Sequence, residues 1–231
     1  MINKKTVLIT GAGGNVGQAA VNQFLQSGYR VVAIDSPGKQ LTVTSEGLHV
    51  VEVDLTNEEA TEKAVQTCLS EFGTIDAALI TAGGWTGGSL SSIRWANVDN
   101  MIRLNFQTAF NVARPVFLQM KEQASGGRIV LFGARTALLP KEGRNSFAYA
   151  LSKKMLFHFA EMLNAEGEAH NVTTSVLVPA TIDTPQNREA MPDATFSDWV
   201  TPEEFARVMS FLCSEDASAI RQPVIKLYGR G

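Results

Sequence analysis

The sequence is poor in the residue types that bind metals or cross-link small folds. Among its 231 residues there are two cysteines, Cys68 and Cys213. They lie far apart in segments with helical patterning and form no CxxC pair, so they read as small buried hydrophobes rather than as a disulfide. The three histidines, His49, His158 and His170, share no ligand spacing, which leaves no reason to expect a metal site. No apolar run approaches the ~18 residues that a membrane span needs. The opening MINKKTVLIT has too few apolar residues before the glycines begin to read as a signal peptide. Net charge is −3 with both signs scattered, so no basic surface points to nucleic acid or an anionic membrane. These absences suggest a soluble cytoplasmic chain, one domain over 1–231, with a small molecule as its partner.

What is present is a regular alternation. Short β-branched runs occur at 6–9, 30–34, 48–53, 75–80, 128–132, 173–178 and 224–227. Near-continuous apolar runs of that length suit strands buried on both faces. Between them lie helical patterns at roughly 15–27, 57–72, 97–123, 147–168 and 202–214. The alternation predicts a Rossmann-type, doubly wound α/β fold: a parallel sheet of about seven strands with helices on both faces. The two longest helical segments, 97–123 and 147–168, carry Phe106 and Phe110, then Met155, Phe159 and Met162, at spacings that share a face. Core packing explains such faces; so does a homodimer or homotetramer seam.

The first strand runs into Thr10-Gly-Ala-Gly-Gly-Asn-Val-Gly17 and then a helical pattern. Gly11, Gly14 and Gly17, with Asn15 and Val16 between them, give a turn whose backbone lets a pyrophosphate approach a helix N-terminus. A glycine-rich turn can also be only a turn. Asp35 ends the second strand 18 residues after Gly17, where a dinucleotide site wants an acid for the adenosine ribose hydroxyls. That carboxylate would repel a 2′-phosphate, so the cofactor reads as NAD(H), with Lys39 moderating the preference. Asp54 and Leu55 follow the third strand and would rim an adenine pocket. Asp54 has a bland alternative as a helix cap near Asn57.

Tyr149-Ala-Leu-Ser-Lys153 places a phenol and an ammonium one helical turn apart. An ammonium beside a phenol favours the phenolate, so this pair is expected to lower the tyrosine pKa and make a general acid/base. With these residues the chain resembles the short-chain dehydrogenase/reductase family over nearly its whole length. Gly11, Gly14, Gly17, Asp54, Ala82-Gly83, Asn105, Tyr149, Lys153 and Pro179 through Thr184 fall where that family's motifs fall. The resemblance implies Tyr149 as proton donor, Lys153 holding the nicotinamide ribose, and Asn105 anchoring a water-linked proton path. It also implies that Pro179, Ile182 and Thr184 lie under the nicotinamide amide. Asn105 has its own bland alternative, an amide bonded to neighbouring helix backbone.

One departure is informative. The family usually ends its fifth strand with a serine that bonds the reacting carbonyl. Counting from the strand, that position is Ala134; counting back from Tyr149, it is Thr136, because the intervening loop is about two residues longer. Losing one such donor typically costs ~3 kcal/mol of transition-state stabilisation. Ala82-Gly83-Gly84-Trp85 through Gly88, Phe132 through Leu138, Thr181 through Arg188 and Met191 through Trp199 resemble the quinonoid dihydropteridine reductases within the family, which also lack the serine, have an AGGW stretch after the fourth strand and prefer NADH. The resemblance implies NADH reducing a planar, electron-poor ring, with Trp85, Ala134, Arg135 and Thr136 around it. Trp85 sits among four glycines and either faces that ring or anchors a loop in the core. The stretch 184–199 has no apolar period and reads as a mobile lid or a plain surface loop. An NAD-dependent ketone dehydrogenase using Thr136, or a dinucleotide-binding sensor, remain as other readings.

Overall fold

The computed structural model describes residues 4–230. Seven strands make one sheet: β1 (Thr6–Thr10), β2 (Arg30–Asp35), β3 (Leu48–Glu52), β4 (Ala77–Ile80), β5 (Gly127–Phe132), β6 (Val172–Pro179) and β7 (Val224–Leu227). Their order is β3-β2-β1-β4-β5-β6-β7, and every ladder is parallel. This is the doubly wound sheet that the strand–helix alternation predicts. The chain first builds outward from β1 to β3, then returns to place β4 on the other side of β1. At that reversal the carboxyl ends of β1 and β4 open a crevice, the usual ligand position in such sheets.

The connecting helices are α1 (Asn15–Gln26), α2 (Glu58–Phe72), α3 (Trp95–Ile102), α4 (Thr108–Glu122), α5 (Arg135–Leu138), α6 (Pro140–Gly143), α7 (Phe147–Gly167), α8 (Pro185–Ala190) and α9 (Pro202–Leu212). Alternation along the strands sorts them into two layers. Leu8, Val32 and Ile34 join Val65 of α2, Val116 of α4 and Leu156 of α7 in one core. Val7, Ile9 and Val31 join Phe24 of α1 with Phe205 and Met209 of α9 in the other. Both cysteines are free and buried. No helix among the described residues is long and apolar enough to cross a membrane.

One expectation changes and another gains detail. The segment 97–123 is not one regular helix. It comprises α3 and α4 joined by a π turn, Arg103–Gln107, that carries Asn105. Such turns insert an extra residue into the ladder and re-aim one side chain, a local adjustment that leaves the apolar period almost intact. The stretch 184–199, read as a lid or a surface loop, has short elements of its own. It holds α8 and a 3₁₀ turn at Phe196–Asp198. Thr184 caps α8 by accepting a hydrogen bond from Asn187 N at 3.2 Å, and Pro185 occupies the first turn. Six residues are too few to show a period; the Thr-Pro pair is the signal that a helix starts there.

Candidate active site

Gly11 leaves β1 with φ of +61°, a left-handed conformation that glycine adopts cheaply. A Cβ there would lie 3.0 Å from the Ala82 backbone, so the turn after β1 and the turn after β4 touch. Gly17 serves α1 itself: a Cβ would overlap the Gly11 carbonyl oxygen. Gly14 precedes α1 in an extended conformation, and no side chain caps that helix. Its first N–H groups are therefore open to an anion.

Beside this turn lies a cavity of about 340 Å³ whose lining includes Gly11, Gly14, Asp35, Leu55, Ala82 and Gly83. Asp54 and Lys39 line it too. Asp35 is fixed there by two backbone donors, Gly13 N to Oδ2 at 2.6 Å and Ser36 N to Oδ1 at 2.7 Å. Asp54 Oδ1 accepts from Thr56 N at 2.9 Å and Thr56 Oγ1 at 2.8 Å, bonds that hold its carboxyl below the usual range. Asp54 is not the cap of α2; Asn57 is, accepting from Ala60 N. A glycine cradle, an uncapped helix N-terminus and a carboxylate at the far rim fit a dinucleotide. Asn15, Val16 and Gly17 are not in this cavity. Val16 packs on the core under α1. Asn15 lines a separate cavity with Thr184 and Arg188, and its Nδ2 donates to Gln186 Oε1 of α8 at 3.0 Å.

The π turn aims Asn105 into the crevice, 1% exposed. Its Oδ1 accepts from Gly84 N at 3.0 Å, and its Nδ2 donates to Gly84 O at 3.0 Å and to Ser152 Oγ at 3.1 Å. The amide is thus bonded to the loop after β4 and to α7, not to its own helix backbone. Gly83 is glycine for the same reason, since a Cβ would lie 2.5 Å from Asn105 Oδ1 and 3.4 Å from Lys153 Nζ. Lys153 is buried and donates to Phe132 O at 2.9 Å, while its Nζ stands 5.9 Å from the centre of the Tyr149 ring.

Tyr149 opens onto a second, larger cleft of about 730 Å³ with Trp85, Ala134, Thr136, Pro179 and Ile182 among its lining. Trp85 is 68% exposed and therefore no core anchor. Ala134, after the end of β5, brings no hydroxyl to the cleft. Thr136 follows in α5, but its Oγ1 is inaccessible to solvent and without a partner. The connection between β5 and α7 is built of α5 and α6. Thr184 caps α8 instead of lining this cleft. Ser152 and Glu142 complete the two sites, and neither stands in a spacing that singles it out beforehand.

The titration expectation for Tyr149 is corrected. Burial pushes its phenol up to about 12, and burial also pushes Lys153 down to about 8. Desolvation disfavours both charged forms. Burial thus favours the protonated phenol.

A sequence model described as short chain dehydrogenase matches residues 5–195. Dihydropteridine reductase of Dictyostelium discoideum is 30% identical over 205 residues, 87% of this chain and 84% of that protein. Acetoacetyl-CoA reductase of an Acinetobacter strain is 27% identical over 246 residues, 99% of this chain and 98% of that one. Among solved structures, ElxO with NADP bound superposes with a TM-score of 0.89 at 22% identity, covering 98% of each chain. The 3-ketoacyl-(acyl-carrier-protein) reductase of Brucella melitensis complexed with NADH gives 0.86 at 22%, covering 100% of this chain and 99% of that one. At such identities the superpositions speak for the fold.

The burial of Lys153 has a measurable consequence. Its folded value lies below the ordinary 10.5, so between about 8 and 10.5 the native state binds fewer protons than the unfolded chain, and this group's contribution to stability rises with pH. In urea unfolding, wild type should gain stability relative to Lys153→Met from pH 8 to pH 10. A difference that stays flat over that window would contradict the burial.

Proposed function

The chain belongs to the short-chain dehydrogenase/reductase family, and on that premise we propose that it is an NADH-dependent reductase of a planar, electron-poor ring, a quinonoid dihydropterin. The family's oxidoreductase chemistry uses a nicotinamide dinucleotide, which supplies hydride when bound. The observation that carries the finer reading is the cleft itself, where an exposed indole, Trp85, shares the lining with Tyr149 and with Ala134. An indole face offers a flat apolar surface to a flat ring. The missing hydroxyl at Ala134 penalises a ketone that needs two donors, and the hidden Thr136 Oγ1 does not supply one. An electron-poor imine accepts hydride with one donor.

In this reading Tyr149 Oη holds the proton and releases it to a ring nitrogen. Lys153, kept in place by the Phe132 carbonyl, limits the cost of the phenolate that remains. Gly11, Gly14, Asp35, Ala82 and Gly83 would hold the dinucleotide. Asp35 favours NADH because a fixed carboxylate repels a 2′-phosphate, with Lys39 beside it reducing the penalty. Self-association belongs to the same proposal: Leu118 of α4 with Leu151, Met155 and Met162 of α7 are all exposed apolar side chains. A homodimer or homotetramer would cover them.

The discriminating experiment is NADH oxidation with chemically generated quinonoid dihydropterin beside a panel of ketones and 3-oxoacyl thioesters. Turnover of the dihydropterin well above the panel is expected. Turnover confined to the carbonyl compounds would replace the reading with a ketoreductase, and tight NADH binding without any turnover would favour a sensor. Asp35→Ala should narrow the ratio of kcat/KM with NADH to that with NADPH by about tenfold or more, the size of one lost charge contact. An unchanged ratio would assign the preference to another residue.

A further inference from the structure

One wall of the substrate cleft carries a charged pair that the proton transfer does not use. Arg135 and Glu142 line it together with Trp85 and Tyr149. Arg135 Nε donates to Glu142 Oε2 at 2.7 Å, and the guanidinium carbon lies 5.5 Å from the centre of the Tyr228 ring. The contact is single-point. Among the described residues, Glu142 Oε1 and the terminal nitrogens of Arg135 have no hydrogen-bond partner. The neighbouring Arg188–Asp183 pair instead spends both carboxylate oxygens, at 2.6 and 2.7 Å. With side chains 32% and 38% exposed, an ion pair such as Arg135–Glu142 contributes little to stability. Its position is more telling. Arg135 begins α5 and Glu142 lies in α6, the short helices that lengthen the connection between β5 and α7 and bring both charges to the cleft.

We propose that Glu142 and Arg135 read the pyrimidine edge of the substrate ring, an inference that rests on the dihydropterin reading. A 2-amino-4-oxopyrimidine edge sets N–H donors beside a carbonyl acceptor. The unused Oε1 of Glu142 is an acceptor, and the unused guanidinium N–H groups are donors, so wall and edge are complementary. Glu142 accepts from the amino side of the edge while Arg135, held in plane by Glu142 and Tyr228, donates to its carbonyl. Other substrates fit this wall poorly. A simple ketone or an acyl thioester carbonyl has no N–H for Glu142, and a substrate carboxylate meets repulsion from Glu142 along with attraction from Arg135. The pair thus selects a neutral ring with donors and an acceptor on one edge.

The test compares two stable ligands, pterin and 4-oxopteridine, which differ by the 2-amino group. Each is titrated into the enzyme–NADH complex and read by tryptophan fluorescence. Wild type should bind pterin roughly ten- to a hundredfold more tightly, the usual range for a hydrogen bond to a charged group. Glu142→Gln turns the free acceptor into a donor and should abolish that preference, with NADH affinity and Tm unchanged. Glu142→Asp keeps the charge one methylene further away and should fall between, which serves as the comparison should the glutamine variant melt early. If wild type turns over quinonoid dihydropterin but the preference survives Glu142→Gln, the pair's role is overturned and the function stands. If wild type reduces only carbonyl compounds, the function fails and this inference with it.

Discussion

The amide of Asn105 is the contact on which both halves of the site depend. It is buried, and all of its strong bonds go to the loop after β4 or to α7. A buried amide left without those partners would cost roughly 1–3 kcal/mol for each group stranded. The two-way bond to Gly84 therefore fixes that loop's backbone in one conformation. Gly83, just before, lines the glycine-rich cavity; Trp85, just after, lines the larger cleft beside Tyr149. The third bond, to Ser152, ties the same amide to the helix that carries Tyr149 and Lys153. One side chain thereby sets the glycine-lined cavity, the wall of the larger cleft and the Tyr149–Lys153 pair relative to one another.

The chemistry follows from burial more than from charge. Tyr149 and Lys153 are one helical turn apart, yet the phenol is held protonated and the ammonium is weakened. In the proposed reduction, the proton would leave Tyr149 only as charge develops on the substrate. The bare Ala134 points the same way. In the proposed function, a site with one donor is matched to a substrate whose own electron deficiency does part of the work, and the exposed indole would give that substrate a surface to lie on.

The strands and long helices were legible because each depends on local periodicity, period two for the buried strands and about 3.6 for the helices. The glycine turn, Asp35 and the Tyr149–Lys153 pair were legible because short-range spacing decides their geometry. Other features were not, for physical reasons. The π turn at Arg103–Gln107 alters one hydrogen bond of the ladder and barely disturbs the apolar period. Asn105 shows its partner only when the strand order brings the loop after β4 alongside. The helical character of Arg135–Leu138 and Pro140–Gly143 is too short to carry a pattern, so Glu142 stayed hidden within an apparent loop. The direction of the Tyr149 shift depends on desolvation, which spacing along the chain does not report.

In the proposed function, the loop pinned by Asn105 sets Ala82 and Gly83 against the dinucleotide and Trp85 against a flat substrate ring. Steady-state kinetics of Trp85→Ala test it most directly. KM for quinonoid dihydropterin should rise about tenfold, the scale of one lost aromatic stacking contact, while the Kd for NADH stays at the wild-type value. An unchanged KM, or a loss of NADH affinity in parallel with it, would contradict the claim.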